Sequence, residues 1–217
     1  DEPIIFVQVA LTNGLGKSIQ EITKPRSDGD KKYDTATFYS ISNCQEGLSR
    51  VTLGNFLIKR VVFEIQEELP NIKHFGTLSP IPGFRDWFSY LEDVKIKNIL
   101  GEIPLENISF LKSTDLKVGD PRIVSNKEAI TKLVAHYLMN EKNHKQLPIN
   151  DVCRFHLGNG AIIDDIVINA NVSEVGLNRS FGVMVNYLYE LKNIEKNHEE
   201  YINNKTIIIS DKLKKII

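Results

Sequence analysis

The segment that most constrains this chain runs from Thr35 to Ser79, where a strand pattern, a helix pattern and a second strand pattern follow in that order. Thr35 to Ser42 (TATFYSIS) alternates well enough for a strand. Leu53, Phe56, Leu57, Val61, Ile65 and Leu69 then recur at helical spacing, Lys59, Arg60, Glu64, Glu67 and Glu68 fall on other faces, and Pro70 ends the helix. Ile72 to Ser79 is the next strand. Strand, helix, strand is the pattern of a right-handed parallel crossover, so the chain is expected to be an α/β protein.

The rest of the chain is read around that unit. Ile4 to Leu11 (IIFVQVAL) is a buried strand stopped at Thr12-Asn13-Gly14, Ser18 to Thr23 a short helical turn, and Lys24 to Asp34 a polar loop. Ile81 to Leu91 is helical after its prolines, and Val94 to Ser125 is less regular. Asn126 to Lys142 is a second good helix, with Ile130, Leu133, Val134, Tyr137 and Leu138 on one face. Asp151 to Leu157 stays ambiguous, Ala161 to Ile168 is strand-like, Gly182 to Leu191 is strand or helix, and Glu195 to Asn204 is polar and expected to be exposed.

Size and charge exclude several classes. A chain of 217 residues buries about 70% of the surface its unfolded form exposes, so one domain with one sizeable core is expected. No apolar run approaches membrane-helix length, and a net charge of -1 disfavours a nucleic-acid surface while leaving room for a local basic pocket. Cys44 and Cys153 are too few for a disulfide framework or zinc cluster, which fits a reducing compartment, with cytoplasm as the default. The chain opens on Asp1-Glu2-Pro3, ends on Lys214-Lys215-Ile216-Ile217 without a peroxisomal signal, and is expected to be a mature or truncated form.

Several motifs invite chemistry. Gly16-Lys17-Ser18 follows a strand, but a phosphate loop needs a glycine where Leu11 stands, so a plain turn is expected. Gln45 to Gly54 leads into a helix N-terminus, where free N–H groups favour an anion such as a pyrophosphate; Gly54 would allow close approach and Arg50, Lys59 or Arg60 could add charge. The same glycine could equally serve helix packing alone. Leu78 to Phe84 (LSPIPGF) holds Ser79 stiffly at a strand end, fit either for a preorganised catalytic group or for capping the next helix. Of the five histidines, His136 lies off its helix's apolar face, His144 and His198 are expected to be solvated, and His74 to lie on a strand surface. His156 sits in an apolar setting beside a glycine turn, where its pKa can be tuned, although structural histidines are commoner. No spacing of histidines or carboxylates is convincing for a metal.

FYSIS (38–42), GNFLIKRVV (54–62), LSPIPGF (78–84), FHLGNGA (155–161) and GVMVNYLYEL (182–191), in this order, resemble malonyl-CoA decarboxylase. The likeness runs from Asp1 to about Tyr201 and is weakest between Val94 and Ser125. It corresponds to that family's C-terminal catalytic domain. The resemblance implies a mixed twisted sheet with flanking helices, the N-acetyltransferase-like (GNAT) fold, in which Thr35 to Ser42 and Ile72 to Ser79 splay apart to admit the pantetheine arm of CoA.

The resemblance further implies that Ser79 and His156 match the family's proposed catalytic pair and Tyr189 a third active-site residue. Gly47, Leu48, Gly54, Asn55, Lys59 and Asn159 would bind the substrate. The implied reaction is decarboxylation of malonyl-CoA to acetyl-CoA and CO2, a step of fatty acid metabolism needing neither metal nor organic cofactor. A CoA-dependent acyltransferase and a non-catalytic CoA-binding fragment stay open as alternatives. The helical domain that precedes the catalytic one in the family, and serves its oligomers, is not in this sequence; a homo-oligomer stays compatible with it. Where the family commonly has an Asn-Trp pair and an Asp after FHLGNGA, this chain has Val167-Ile168 and Asn171, so a local contact is expected to differ.

Overall fold

The computed structural model describes residues 5–25, 33–43 and 54–217. In chain order its elements are β1 (Ile5–Thr12), α1 (Ile19–Ile22), β2 (Thr35–Asn43), α2 (Gly54–Glu68), β3 (His74–Thr77), β4 (Ser79–Pro80), α3 (Phe84–Ser89), α4 (Asp93–Leu100), α5 (Glu106–Ser109), a 3₁₀ turn (Phe110–Lys112), α6 (Pro121–Ser125), α7 (Lys127–Met139), α8 (Asp151–Gly158), β5 (Ile162–Val167), α9 (Glu174–Ser180), β6 (Met184–Leu188), α10 (Ile194–Asn204) and α11 (Asp211–Lys214). They fall into two compact units.

The first unit comprises Asp1–Ser79, Phe155–Ile163 and Asn186–Ile208. Its sheet is mixed. β1 runs antiparallel to β2 from Ile5 opposite Asn43 to Thr12 opposite Thr35, with a bulge between Gln8 and Val9. β2 and β3 pair in parallel from Thr35 opposite His74 to Phe38 opposite Thr77, as the crossover pattern requires. β3 in turn pairs antiparallel with β6 at Gly76 and Leu188. The parallel pairing explains why Thr35 to Phe38 and Phe75 to Leu78 lose the alternation of a half-exposed strand: both faces are covered and every side chain is buried. Ile58 and Val62 of α2 join Ala36, Phe38 and Phe75 among the core residues of this unit.

Gly16-Lys17-Ser18 forms the expected turn. Ser18 occupies the N-cap of α1, and the Gly16 N–H donates to the Thr37 hydroxyl at 3.0 Å. The polar stretch expected to be exposed is α10, an amphipathic helix that buries Ile194, Asn197 and Tyr201. Asn197 and Tyr201 lie three and seven residues beyond Ile194, which is one face of a helix, too narrow to register against so polar a background.

The second unit comprises Pro80–Arg154, Asp164–Val185 and Ile209–Ile217. Its core is helical and aromatic: Phe84 packs on Trp87, Tyr137 and Phe181 with ring centroids 5.2–6.0 Å apart across the cluster. α7 presents Ile130, Leu133, Val134, Tyr137 and Leu138 inward as its periodicity predicts. The irregular stretch after Val94 resolves into the short elements α4 to α6, each four to eight residues long, too brief for a periodic signal. The PIPG turn is as stiff as its prolines suggest, since the Pro82 carbonyl accepts hydrogen bonds from the Tyr137 hydroxyl and the Asn150 amide, both at 2.9 Å. No helix among the described residues is long and apolar enough to cross a membrane.

Candidate active site

Ser79, His156 and Tyr189 converge inside the first unit although they come from three distant stretches of chain. Ser79 stands in β4, just past the point where β3 leaves β2 and the Leu78 N–H makes a last bond of 2.9 Å to the Phe38 carbonyl. It does not cap the next helix. Gly83, at φ 78°, holds that N-cap with no side-chain bond, which leaves the serine hydroxyl free for other partners.

His156 lies in the last turn of α8, so the ambiguous segment is helical. The turn is closed by Asn159 N–H bonds to the Phe155 and His156 carbonyls and by Gly160 at φ 79°, which brings the Ala161 N–H back to the His156 carbonyl at 3.1 Å. A Cβ at Gly160 would collide with the Ile194 carbonyl, so only glycine fits there. Tyr189 follows the end of β6, and its N–H is tied to the Phe75 carbonyl at 2.8 Å.

These elements bring four side chains into one hydrogen-bonded line. The Tyr189 hydroxyl is 2.8 Å from His156 Nδ1, His156 Nε2 is 3.0 Å from Ser79 Oγ, and Ser79 Oγ donates to Thr77 Oγ1 at 2.8 Å. Thr77, Ser79, His156 and Tyr189 are all buried. The Tyr187 ring lies against the imidazole, centroids 4.5 Å apart and planes within 26°, which fixes the ring's face while the two end bonds fix its edges. Burial lowers the His156 pKa from 6.5 to about 3 and raises the Tyr189 phenol well above 10.0, so the line is uncharged near neutral pH.

Around it, the Asn186 amide donates to the Gly16 and Thr77 carbonyls at 3.0 and 2.8 Å and ties the turn after β1 to the end of β3. Asn159 is buried beside this line in sequence. Its amide donates to the Phe155 carbonyl at 2.6 Å, but its Oδ1 has no partner in the structure. A buried acceptor left without a donor is costly.

Of the other expected site residues, Gly54 and Asn55 open α2 and Lys59 lies within it. Gly47, Leu48 and Arg50 lie outside the described residues. His74 and His144 are exposed as expected. His198 is not solvated: it is half-buried, and its Nδ1–H donates to the Gly158 carbonyl at 2.6 Å. His136 is half-buried, 3.3 Å from a Glu141 oxygen and stacked near Trp87. No three His, Cys, Asp or Glu side chains cluster for a metal ion among the described residues.

The residues the sequence reading misses are Thr77, just before LSPIPGF, and Asn186 and Tyr187, which lie within GVMVNYLYEL but have no role assigned there. Thr77 and Ser79 are two residues apart, as are Tyr187 and Tyr189, so each pair shares a face.

The mixed sheet and the buried phenol, imidazole and hydroxyl line define an α/β protein with a hydrogen-bonded polar centre. Comparison with known proteins makes the assignment specific: residues 1–217 match the family described as malonyl-CoA decarboxylase C-terminal domain, and the chain belongs to that family. It is 37% identical over 234 residues to the malonyl-CoA decarboxylase, mitochondrial, of Anser anser anser, covering 98% of this chain and 46% of the relative. It is 37% identical over 239 residues to the rat protein of the same name, covering all of this chain and 48% of that one. A crystal structure of malonyl-CoA decarboxylase from Rhodopseudomonas palustris matches with a TM-score of 0.88 and 37% identity, over 99% of this chain and 50% of that chain. The chain thus spans about half the length of the relatives it matches.

Proposed function

We propose that this chain is a decarboxylase acting on malonyl-CoA, with Ser79 and His156 as its catalytic pair. The observation that carries the reading is the bond between Ser79 Oγ and His156 Nε2 in a buried, uncharged centre of a chain belonging to the malonyl-CoA decarboxylase family. Loss of CO2 breaks a carbon–carbon bond and leaves its electron pair in the thioester as an enolate, which must be stabilised at oxygen and then protonated at carbon to give acetyl-CoA. Ser79 holds the malonyl carboxylate in a cleaving orientation. His156, neutral in the free protein, donates a hydrogen bond to the forming enolate oxygen; the anion beside it raises the imidazole pKa, so the ring takes up a proton from solvent and passes it to the enolate carbon, returning to its neutral form. Tyr189 bonds the far nitrogen of the ring and acts through it, as a positioning residue.

The CoA moiety is assigned to Gly47, Leu48, Gly54, Asn55 and Lys59, on the argument that the N-terminus of the fifteen-residue α2 favours its pyrophosphate. The unpartnered Oδ1 of Asn159 supports its place among the substrate-binding residues, as an acceptor for an N–H or O–H of the ligand. No metal or organic cofactor is assigned a role. The whole described fold is read as one N-acetyltransferase-like catalytic domain, compatible with a homo-oligomer. Cytoplasm is the compartment read from composition, while the goose and rat relatives are named mitochondrial; cell fractionation distinguishes the two.

The test is release of CO2 and acetyl-CoA from malonyl-CoA by this chain beside Ser79→Ala and His156→Ala. Each variant, still folded, is expected to lose about 100-fold or more in kcat. A folded parent that binds CoA without releasing CO2 would overturn the reading in favour of an acyltransferase or a binding-only fragment.

A further inference from the structure

We infer that Thr77 sets the proton order of this site: by taking the Ser79 hydroxyl proton it fixes His156 as the tautomer protonated on Nε2. The argument is a count of donors and acceptors. A hydroxyl has one proton and two lone pairs. Thr77 Oγ1 accepts twice, from the Ser79 hydroxyl at 2.8 Å and from the Tyr187 backbone N–H at 3.3 Å, so both lone pairs are spoken for. With the Ser79 proton lying between the two oxygens, the Thr77 proton is directed away from Ser79. Ser79, its single proton committed to Thr77 in the free protein and turned to the malonyl carboxylate on the decarboxylase reading, offers only a lone pair to His156 Nε2 at 3.0 Å in either case.

A lone pair is a partner for an N–H, so Nε2 carries the proton. A neutral imidazole carries one proton, and Nδ1 is therefore an acceptor for the Tyr189 hydroxyl at 2.8 Å. With Thr77 acting this way, each bond in the line has one donor and one acceptor. Thr77 is buried, and the Asn186 amide bonds its carbonyl, which fixes the stretch of backbone that carries the hydroxyl.

This order decides what the pair can do. A histidine that presents an N–H to serine is not a base for it, so Ser79 is not activated as a nucleophile and no acyl-enzyme is formed on it. The same N–H is what a developing enolate oxygen needs. That second consequence rests on the decarboxylase reading above; the tautomer does not.

The test is the ¹⁵N spectrum of imidazole-labelled protein, in which the protonated and unprotonated ring nitrogens of a neutral histidine are distinct. In the parent, His156 is expected to show a protonated Nε2 and an unprotonated Nδ1. In Thr77→Val the Ser79 proton is freed to turn to Nε2, so the ring is expected to pass to the Nδ1–H form or to a mixture of the two. Thr77→Ser, which keeps the hydroxyl, is expected to restore the parent spectrum.

With malonyl-CoA, Thr77→Val is expected to lose about 10-fold or more in kcat with little change in KM, and Thr77→Ser to regain most of it. A parent with Nδ1 protonated overturns the inference whether or not any variant folds. So does a folded Thr77→Val that keeps the parent tautomer, because a merely structural threonine would leave it unmoved. A parent with protonated Nε2 that releases no CO2 leaves the inference standing and refutes the decarboxylase reading alone.

Discussion

Acid should unfold this protein in part through one ring. His156 titrates at about 3 in the folded chain because burial disfavours its charged form, against 6.5 for an exposed imidazole. The folded pKa is the lower one, so between those values the unfolded chain binds more protons, and stability is full above about 6.5 and falls as pH drops toward 3. At about 1.4 kcal/mol per unit, acidification from pH ~7.5 to pH ~4.5 removes about 3 kcal/mol through this group alone. That is a large share of the 5 to 15 kcal/mol by which domains are ordinarily stable.

The perturbation that isolates this contribution is His156→Gln, which keeps a donor and an acceptor but cannot titrate. Denaturant unfolding followed by circular dichroism at several pH values gives the free energy for parent and variant, provided the denaturant slope is the same in both. The variant starts lower at neutral pH, since its amide fits the two partners less well. Its dependence on pH should nevertheless be flatter by about 3 kcal/mol over the window, the other titrating groups being common to both chains. A difference in slope below about 1 kcal/mol would refute the reasoning, because it would mean that the folded protein protonates this imidazole and that its burial admits water.

Other outcomes follow from the same geometry. The pH profile of kcat/KM should show no limb from free His156 between about pH 5 and 8, since the ring is already neutral throughout. Tyr189→Phe removes the hydroxyl that reaches Nδ1 and should lower kcat by about 10-fold while the protein stays folded, as read by steady-state assay beside a melting curve. Gly160→Ala puts a Cβ on the Ile194 carbonyl at a φ of 79° and should cost about 3 kcal/mol in thermal or denaturant unfolding.

The legible part of the fold was the part whose pattern is local. β2, α2 and β3 announce themselves because a helix of fifteen residues with a clear apolar stripe separates two β-rich runs, and the parallel register follows from that order. α8 was harder, since its eight residues mix Val152, Phe155 and Leu157 with Cys153 and His156 and support either period. β6 was ambiguous for the reason central strands usually are: Met184 to Tyr187 are all buried, so nothing alternates.

Ser79 and His156 were visible through their stiff or glycine-flanked surroundings, and Tyr189 only through the family resemblance. Thr77 was not, because a threonine in a buried strand has no mark that separates packing from chemistry until its partner 2.8 Å away is known. His198 misled for the converse reason. Its neighbours in sequence are polar, but the carbonyl it bonds belongs to Gly158, forty residues earlier.

The polar line joins residues 77 positions apart, Ser79 and His156, and then residues 33 apart, His156 and Tyr189. During folding, no local helix or hairpin can assemble these two links; each waits for a long loop to close, an entropic cost met before the contact rewards it. The centre therefore comes into being only with the final arrangement of the first unit. A chain halted partway, or cut in the stretch between Ser79 and His156 and free to drift apart, would keep helices and hydrophobic clusters while losing the centre altogether. Turnover would thus report on the completeness of folding, and would vanish earlier than helix content as the protein is worn down by heat or proteolysis.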